Sequence, residues 1–505
     1  MILLNSLIEN TPYRVIGQTE TDITGITYNS QKVKPGNIFV CLRGQHTDGV
    51  KFVDDAMAKG ASVIVTEKEL EKPAEVSQVI VPNALEALAL LSARFYDLPS
   101  RKLNVIGVTG TNGKTTITYL LESIFKSAGA PAAVFGTINY RFGEDVISPD
   151  TTTPLSSDLQ YLLDKAVKKQ YKNVLMEVSS HALMLNRVDF VEFDAAIFTN
   201  LTRDHMDFHK SFEEYFNAKL RLFKALEQKG EKEREKFAII NNDDEWGKKI
   251  PSLARCRVIT YGLDGKPDVY PSGLKYDAGG ISFDLNFRDE SIKIRSCLIG
   301  KHNVYNILAA GALALNFGLS GESVKAGIEN LRVVPGRLEK AGNGGLFTVV
   351  VDYAHTDDAL KNVLLTLKEL AVGRIITVFG CGGDRDRSKR PLMGEVAVNL
   401  SDYAIVTSDN PRTENPGKIV FDIEVGIKRA AKENYEIILD RKQAIKRALE
   451  IAKKNDIVLL AGKGHENYQI IGTEKIHFSD KEIVEEELRK KANGRNGKSN
   501  VKGAG

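Results

Sequence analysis

The chain has 505 residues, too many for one ordinary core, so two to four domains are expected. Its formal charge of +3, from 69 basic and 66 acidic residues, argues against a dedicated nucleic-acid surface, and 42% apolar with 27% charged residues is the balance of a soluble globular protein. The four cysteines (Cys41, Cys256, Cys297, Cys381) form no close pair, which argues against a disulfide framework or zinc site. The first residues have no basic stretch ahead of an apolar run, and no run on the order of 18 apolar residues occurs, so a cytoplasmic chain without a membrane span is expected.

Three blocks of strand–helix alternation follow one another. Residues 1–98 form a small α/β module with strand-like Asn37–Leu42, Ser62–Thr66 and Gln78–Val81 and a helical pattern over Phe52–Lys59; Pro99-Ser100-Arg101-Lys102 reads as a linker. Residues 99–331 carry strand candidates at Asn104–Val108, Ala132–Phe135, Asn173–Glu177, Ala195–Thr199 and Phe237–Asn241. Helical spacing runs through Leu159–Ala166, a charged loop spans 229–236, and Asn303–Leu315 reads as a buried helix. This alternation predicts a mostly parallel, doubly wound sheet. Residues 332–491 repeat it with Phe347–Val351, Arg374–Phe379, Tyr403–Thr407, Ile437–Leu439 and Ile457–Ala461, a Rossmann-like pattern, and the Gly-, Asn-, Lys- and Ser-rich tail 492–505 is expected to be disordered.

The second block opens on Val105-Ile-Gly-Val-Thr-Gly-Thr-Asn-Gly-Lys-Thr-Thr116, a strand running into a Gly-rich turn and then a helix. Gly110 and Gly113 let backbone N–H groups close on phosphate oxygens, Lys114 adds a point charge, and Thr115 suits Mg²⁺. Val108 stands where the strict spacing has glycine. A nucleoside triphosphate site is the reading.

In open α/β sheets ligands sit past the carboxyl ends of strands. There lie Glu177-Val-Ser-Ser-His181 and Asn200-Leu-Thr-Arg-Asp-His-Met-Asp-Phe-His209, carboxylates and imidazoles near the expected phosphates, where one Glu with phosphate oxygens and Thr115 would suffice for Mg²⁺. Six of the eight histidines (His181, His205, His209, His302, His355, His465) fall at predicted element ends. Arg337, near the join of the second and third blocks, either reaches the triphosphate or is a solvated boundary residue. In the third block Gly380–Arg390, Asp409-Asn-Pro-Arg412 and Gly462-Lys-Gly-His-Glu466 each follow a predicted strand and mix donors with carboxylates, which suits a small zwitterion.

Taken jointly, these motifs resemble the Mur ligases from about residue 25 to residue 470: the Thr109–Thr116 loop, Glu177-Val-Ser-Ser-His, Asn200-Leu-Thr-Arg-Asp-His, Gly300-Lys-His-Asn-Val-Tyr-Asn306, Pro335-Gly-Arg and Asp352-Tyr-Ala-His-Thr356 stand in family order. Within the family the chain is similar to members that add the third peptide residue to UDP-N-acetylmuramoyl-L-alanyl-D-glutamate. Asp409-Asn410-Pro411-Arg412 resembles the loop of members using meso-diaminopimelate, whose distal carboxylate an Arg pairs and L-lysine lacks. The resemblance implies an ATP- and Mg²⁺-dependent, ADP-forming amide ligase acting through an acyl phosphate, in a cytoplasmic step of peptidoglycan synthesis and as a monomer. It implies ATP contacts from Gly110, Thr111, Asn112, Gly113, Lys114, Thr115, Thr116, Asn303, Asn306 and Arg337. It further implies Mg²⁺ held by Thr115, Glu177, His205 and Lys219, the last as a carbamate; without the resemblance Lys219 reads as a helix-surface lysine. Lys114, Glu177, His205 and Lys219 would form the catalytic group. Ser30, Thr152, Thr153, Ser179 and Arg187 match contacts to the UDP-dipeptide, and Arg385, Asp409, Asn410, Pro411, Arg412, Gly462 and Glu466 match the amino-acid site, Glu466 meeting an ammonium group. The chain departs from the family pattern at Asn29-Ser30-Gln31, Asp357 and Leu185, where Asp-Ser-Arg, Pro and Gln are common. Rival readings are the same ligase with L-lysine, a folate polyglutamylating ligase, or a nucleotide-dependent switch that needs no zwitterion site.

Overall fold

The computed structural model describes residues 2–499 apart from 45–46, 72–75, 150, 228–229, 231, 233, 278 and 343–344. Three sheets divide the chain. The first has five strands in the order Arg14–Ile16, Ser77–Ile80, Val63–Thr66, Asn37–Val40, Gly25–Thr27, parallel except for the first pair. The β-branched run Val63-Ile-Val-Thr66 suits a pleated, buried strand. One face is covered by the helix Ala84–Phe95, whose Asn83 caps the first turn through Leu85 and Glu86 N–H.

The central sheet has eleven strands. Six run parallel, in the order Ala132–Phe135, Asn173–Glu177, Asn104–Thr109, Ala195–Phe198, Phe237–Asn241, Arg257–Tyr261. The strand that feeds the Gly-rich turn lies in their midst, as a short apolar run buried on both faces requires. Helices Lys114–Ser127 and Lys301–Asn316 pack on one face, and Ser156–Lys168 and Phe212–Ala225 on the other.

The sheet does not stay parallel. Tyr140–Phe142 and Asp145–Ile147 add a hairpin at one edge, and Val269–Asp277, Gly280–Phe287 and Glu290–Ser296 add an antiparallel meander at the other. The middle strand of the meander alternates: Ile281, Phe283, Leu285 and Phe287 are buried, while the polar residues between them are half-buried and dilute the apolar signal.

The third sheet runs Glu339–Lys340, Thr348–Asp352, Ile457–Ala461, Ile375–Phe379, Tyr403–Val406, Tyr435–Ile437, parallel except at the first, antiparallel edge. The strand expected at Ile437–Leu439 begins two residues earlier and ends at Ile437. A separate hairpin, Tyr468–Ile471 with Glu474–His477, sits beside the loops of this sheet. The last helix, Asp480–Ser499, continues into the stretch expected to lack structure. Arg489–Glu485 and Lys490–Glu486 pairs one turn apart support its exposed face, and 500–505 lie outside the described residues. Among the described residues no helix is long and apolar enough to cross a membrane.

Candidate active site

The Gly-rich turn is held from both sides. Gly110 adopts φ +143° and Gly113 φ +90°, and a Cβ on either would stand 1.8 Å from Thr199 Oγ1 or 2.5 Å from Asn306 Oδ1. Only glycine fits both the backbone and the space. Thr111 N–H donates to Asn200 O (2.8 Å), Asn112 N–H to Asn200 Oδ1 (3.0 Å) and Thr199 Oγ1 to Asn112 O (2.6 Å), so the turn is pinned to the segment after Ala195–Phe198. Gly113 caps the helix Lys114–Ser127, leaving the N–H groups of Lys114, Thr115 and Thr116 in its first turn for an anion. Lys114 Nζ donates to Gly110 O (2.9 Å) and Thr111 O (2.8 Å).

Lys219 reaches the same carbonyl. Its Nζ donates to Gly110 O at 2.9 Å and lies 4.4 Å from the centre of the Tyr215 ring, with 1% of the residue exposed. No carboxylate pairs with it among the described ion pairs. Burial, and then the charge of Lys114, lower its pKa well below the usual lysine range. The helix Phe212–Ala225 thus buries an amine with suppressed charge against the phosphate turn.

Glu177 ends its strand 1% exposed, its Oε1 accepting Thr137 N–H (3.0 Å) and its Oε2 2.8 Å from the Thr137 hydroxyl, which in turn lies 3.1 Å from Thr152 Oγ1. Thr153 Oγ1 donates to Glu177 O (2.8 Å) and accepts Ser179 N–H (3.2 Å); Arg187 Nη1 donates to Thr153 O (2.8 Å). Thr152, Thr153, Ser179 and Arg187 therefore form one polar patch around Glu177. Ser30 is not in it. It lies on the first sheet's side, where Lys59 Nζ donates to its carbonyl (3.2 Å), and the nearby Tyr28 bridges the blocks by donating to Asp158 Oδ2 (2.9 Å).

His205 sits in the left-handed region (φ +57°), its N–H bonded to Asp204 Oδ1 (2.9 Å) and its ring 4.7 Å from that of His181. Burial, opposed by Asp204, brings its pKa to about 4, so the imidazole is neutral at pH 7. His209 belongs to the same cluster, its Nε2 2.9 Å from Ser180 Oγ. Among the described residues no group of three or more His, Cys, Asp or Glu side chains is preassembled for a metal. The donors near the turn are a hydroxyl, a carboxylate and one neutral imidazole, a set that fits a hard cation sharing phosphate oxygens and keeping waters.

A cavity of about 450 Å³ opens beside the turn, walled by Asn112, Thr115, Asn306, His302, Arg337 and Asp358 among others. Arg337 is not a solvated boundary residue: its Nη2 donates to Thr115 Oγ1 (3.2 Å) and its guanidinium lies 5.0 Å from the Tyr353 ring centre. Asn303 stands behind the wall, its amide spent on Ile299 O (2.8 Å) and on Asn306 Nδ2 (2.9 Å). Asn112 Nδ2 donates to Asp358 Oδ2 (3.2 Å), so the third block closes one side of the cavity.

The third sheet gathers its loops because Ile457–Ala461, Ile375–Phe379 and Tyr403–Val406 are neighbours. Asn410 Nδ2 donates to Glu466 Oε2 (2.9 Å), and Lys463 Nζ to the same oxygen (3.0 Å) and to Asn410 Oδ1 (3.3 Å). Gly462, at φ +112°, leaves room for Asp409; a Cβ there would stand 2.8 Å from Asp409 Oδ2. The carbonyl of Pro411 packs against Gly383. Arg412, at φ +49°, is held by its N–H to Ile470 O (3.1 Å), and its Nη1 donates to Gly383 O (2.8 Å). Arg385 Nη1 donates to Asp384 O (3.0 Å). Neither guanidinium has a carboxylate partner among the described ion pairs, and burial followed by Arg385 lowers the pKa of Arg412. Arg385, Asp409 and Glu466 all act on the charge of Arg412, so two guanidinium groups and two carboxylates gather at the ends of these loops.

Sequence reasoning missed the frame of this pocket. Arg390, fully buried, donates to Glu414 (2.8 and 3.0 Å), Asp422 Oδ2 (2.9 Å) and Gly382 O (3.2 Å), tying both flanking loops together. Thr137 and Lys463 were also passed over. Glu177 lies 40 residues from Thr137 and Asn410 lies 53 residues from Lys463, beyond any local pattern, although Lys463 also meets Glu466 three residues on.

Three family models match successive parts of the chain: the Mur ligase family catalytic domain over residues 22–96, the Mur ligase middle domain over 108–314 and the Mur ligase glutamate ligase domain over 336–464. The chain belongs to the Mur ligase family. Among its Mur ligase relatives is the UDP-N-acetylmuramoyl-L-alanyl-D-glutamate–2,6-diaminopimelate ligase 1 of Clostridium acetobutylicum, 46% identical over 96% of this chain and 99% of that one. The ligase of corresponding name from Bacillus cereus is 44% identical over 95% and 97%. A solved structure of a UDP-N-acetylmuramoyl-L-alanyl-D-glutamate–2,6-diaminopimelate ligase superposes with a TM-score of 0.67 at 33% identity, covering 97% of this chain and 99% of that one. The MurF ligase of Thermotoga maritima, solved with ADP, shares the fold at a TM-score of 0.64 and 20% identity over 93% and 99%.

Proposed function

We propose that this Mur ligase joins meso-diaminopimelate to the D-glutamate of UDP-N-acetylmuramoyl-L-alanyl-D-glutamate at the expense of ATP. The observation that carries the reading is the loop cluster in which Arg412, lacking a carboxylate partner among the described ion pairs, lies within electrostatic reach of Arg385 and Glu466: a guanidinium and a carboxylate so placed suit the distal carboxylate and ammonium of diaminopimelate, and L-lysine has no such carboxylate. The relatives' names point the same way.

The D-glutamate carboxylate attacks the γ-phosphorus of ATP; a P–O bond forms, ADP leaves, and an acyl phosphate results. The free amine of diaminopimelate then attacks the acyl carbon. The tetrahedral intermediate expels phosphate and the nitrogen loses its proton, leaving the amide. Positioning and charge neutralisation are the protein's share. The turn Gly110–Thr116 and Lys114 take the phosphates, with Arg337 and Asn306 at the cavity wall. Thr152, Thr153, Ser179 and Arg187 take the dipeptide, and Ser30 the uridine side. Mg²⁺ would be held by Thr115, Glu177, His205 and Lys219 and would neutralise phosphate charge. Lys219 suits that place as a carbamate: its neutral amine would attack the carbon of CO₂ and lose one proton, turning a buried neutral amine into an anion with two oxygens. A monomer is the proposed state, and a cytoplasmic reaction fits nucleotide-linked substrates.

Phosphate release is measured with the UDP-dipeptide and ATP plus meso-diaminopimelate, L-lysine or no amine, with product masses. Release with diaminopimelate alone and the tripeptide mass are expected, and Arg412→Ala raises the KM for diaminopimelate by roughly a hundredfold or more, as loss of a bidentate charged contact does. Release with L-lysine alone would overturn the substrate assignment.

A further inference from the structure

Lys463 is a fully buried ammonium without a role so far. It stands in the Gly462–Glu466 loop, at the end of the strand Ile457–Ala461, and its Nζ bridges two loops: Asn410 Oδ1 at 3.3 Å and Glu466 Oε2 at 3.0 Å. Asn410 closes the ring by donating its Nδ2 to the same Oε2 at 2.9 Å. Oε2 thus takes two hydrogen bonds, whereas among the described residues Oε1 meets the Tyr468 hydroxyl alone, at 3.4 Å. A long flexible side chain is not needed to fill this space; a buried charge there costs desolvation unless it answers another charge.

We infer that Lys463 is a positioning residue for the amino-acid substrate: it fixes Glu466 through Oε2, so that Oε1 receives the substrate's ammonium. The inference rests on the amino-acid site assigned above. The groups facing Glu466 are Lys463 and Tyr468 on its own loop and hairpin, Asp409 and Arg412 on the loop after Tyr403–Val406, Tyr353 after Thr348–Asp352, and Arg441 at the head of the helix Arg441–Ile451. Burial pushes the Glu466 carboxyl up, Lys463 pulls it down, and Asp409 pushes it up again. Without Lys463 the balance moves toward the protonated acid, which binds an ammonium far less well.

Steady-state kinetics on Lys463→Met, Lys463→Gln, Glu466→Gln and the double variant Lys463→Met/Glu466→Gln test this. Both Lys463 variants are expected to raise the KM for meso-diaminopimelate at least tenfold, leave the KM values for ATP and UDP-dipeptide within about twofold, and move the acidic limb of kcat/KM for diaminopimelate to higher pH. In the Glu466→Gln background Lys463→Met adds nothing further. Equal increases in all three KM values, an unmoved acidic limb, or full additivity in the double variant would overturn the assignment. So would collapse of the melting temperature in both single variants and the double, which makes Lys463 a folding residue. Wild-type enzyme that turns over L-lysine instead sinks the substrate reading while leaving these comparisons to be read with lysine, whose distal ammonium is the same probe.

Discussion

Arg390→Met removes one guanidinium and leaves Glu414 and Asp422 facing each other across the frame of the amino-acid pocket. Arg390 is 0% exposed, and its partners' side chains are 20% and 30% exposed, so solvent screens the pair only in part. Hydrogen bonding to Arg390, against the cost of burial, holds the Glu414 carboxyl at about 2 instead of its ordinary 4.5. That gap alone is worth roughly 3 kcal/mol at about 1.36 kcal/mol per pH unit, within the range of about 3–5 kcal/mol for breaking a buried pair. Because the folded pKa is depressed, this stability is complete above pH 4.5 and is lost as pH falls through about 2; at pH 3 less than half remains. Urea unfolding followed by far-UV circular dichroism at pH 7 and pH 3 measures it. The single tryptophan, Trp246, belongs to the central block, so its fluorescence does not follow the third sheet. A loss below about 1 kcal/mol at pH 7, or the same loss at both pH values, would refute the reasoning.

Gly113→Ala puts a methyl group 2.5 Å from Asn306 Oδ1 on a backbone at φ +90°; the KM for ATP should rise roughly ten- to a hundredfold for about 1–3 kcal/mol of strain. Gly273→Ala, at φ +61° in open space on the meander, is the control and leaves that KM unchanged. Lys219→Met should lower kcat by roughly a hundredfold or more through the lost anion while nucleotide still binds by calorimetry. Wild-type protein kept in bicarbonate should show the added mass of one CO₂ on the peptide holding Lys219, and a variant retaining more than about a tenth of the rate would count against the carbamate.

Contiguous apolar runs bounded by glycine made the parallel strands of the central and third sheets legible, because strands buried on both faces leave no room for polar residues. The meander Val269–Ser296 was not legible in the same way, since half its residues face solvent. The phosphate turn announced itself by glycine placement, for which the structure supplies the steric reason at Gly110 and Gly113. Lys219 carried a signal that was overlooked: it falls four residues after Tyr215 and four before Phe223, on the buried stripe of its helix, so it could not be a surface lysine. Arg390 carried none, because its charge is buried by partners that only the assembled fold brings near, whereas Lys463 stood three residues from its partner Glu466 with nothing local to say that both would be enclosed.

The seam between the central and third blocks is stitched near the nucleotide cavity by single polar contacts: Asn112 to Asp358, Arg203 to Ser388, and Arg337 to Thr115. Each is worth only about 0.5–1.5 kcal/mol, and Ile299 adds apolar packing between the two lobes by entering the core of the third block. A nucleotide lodged there becomes mortar between them. On the proposed function, release of ADP is expected to require the lobes to swing apart, which would draw the amino-acid loops away from the acyl carbon at the same time. The pace of turnover then belongs to the swing as much as to the bond-making.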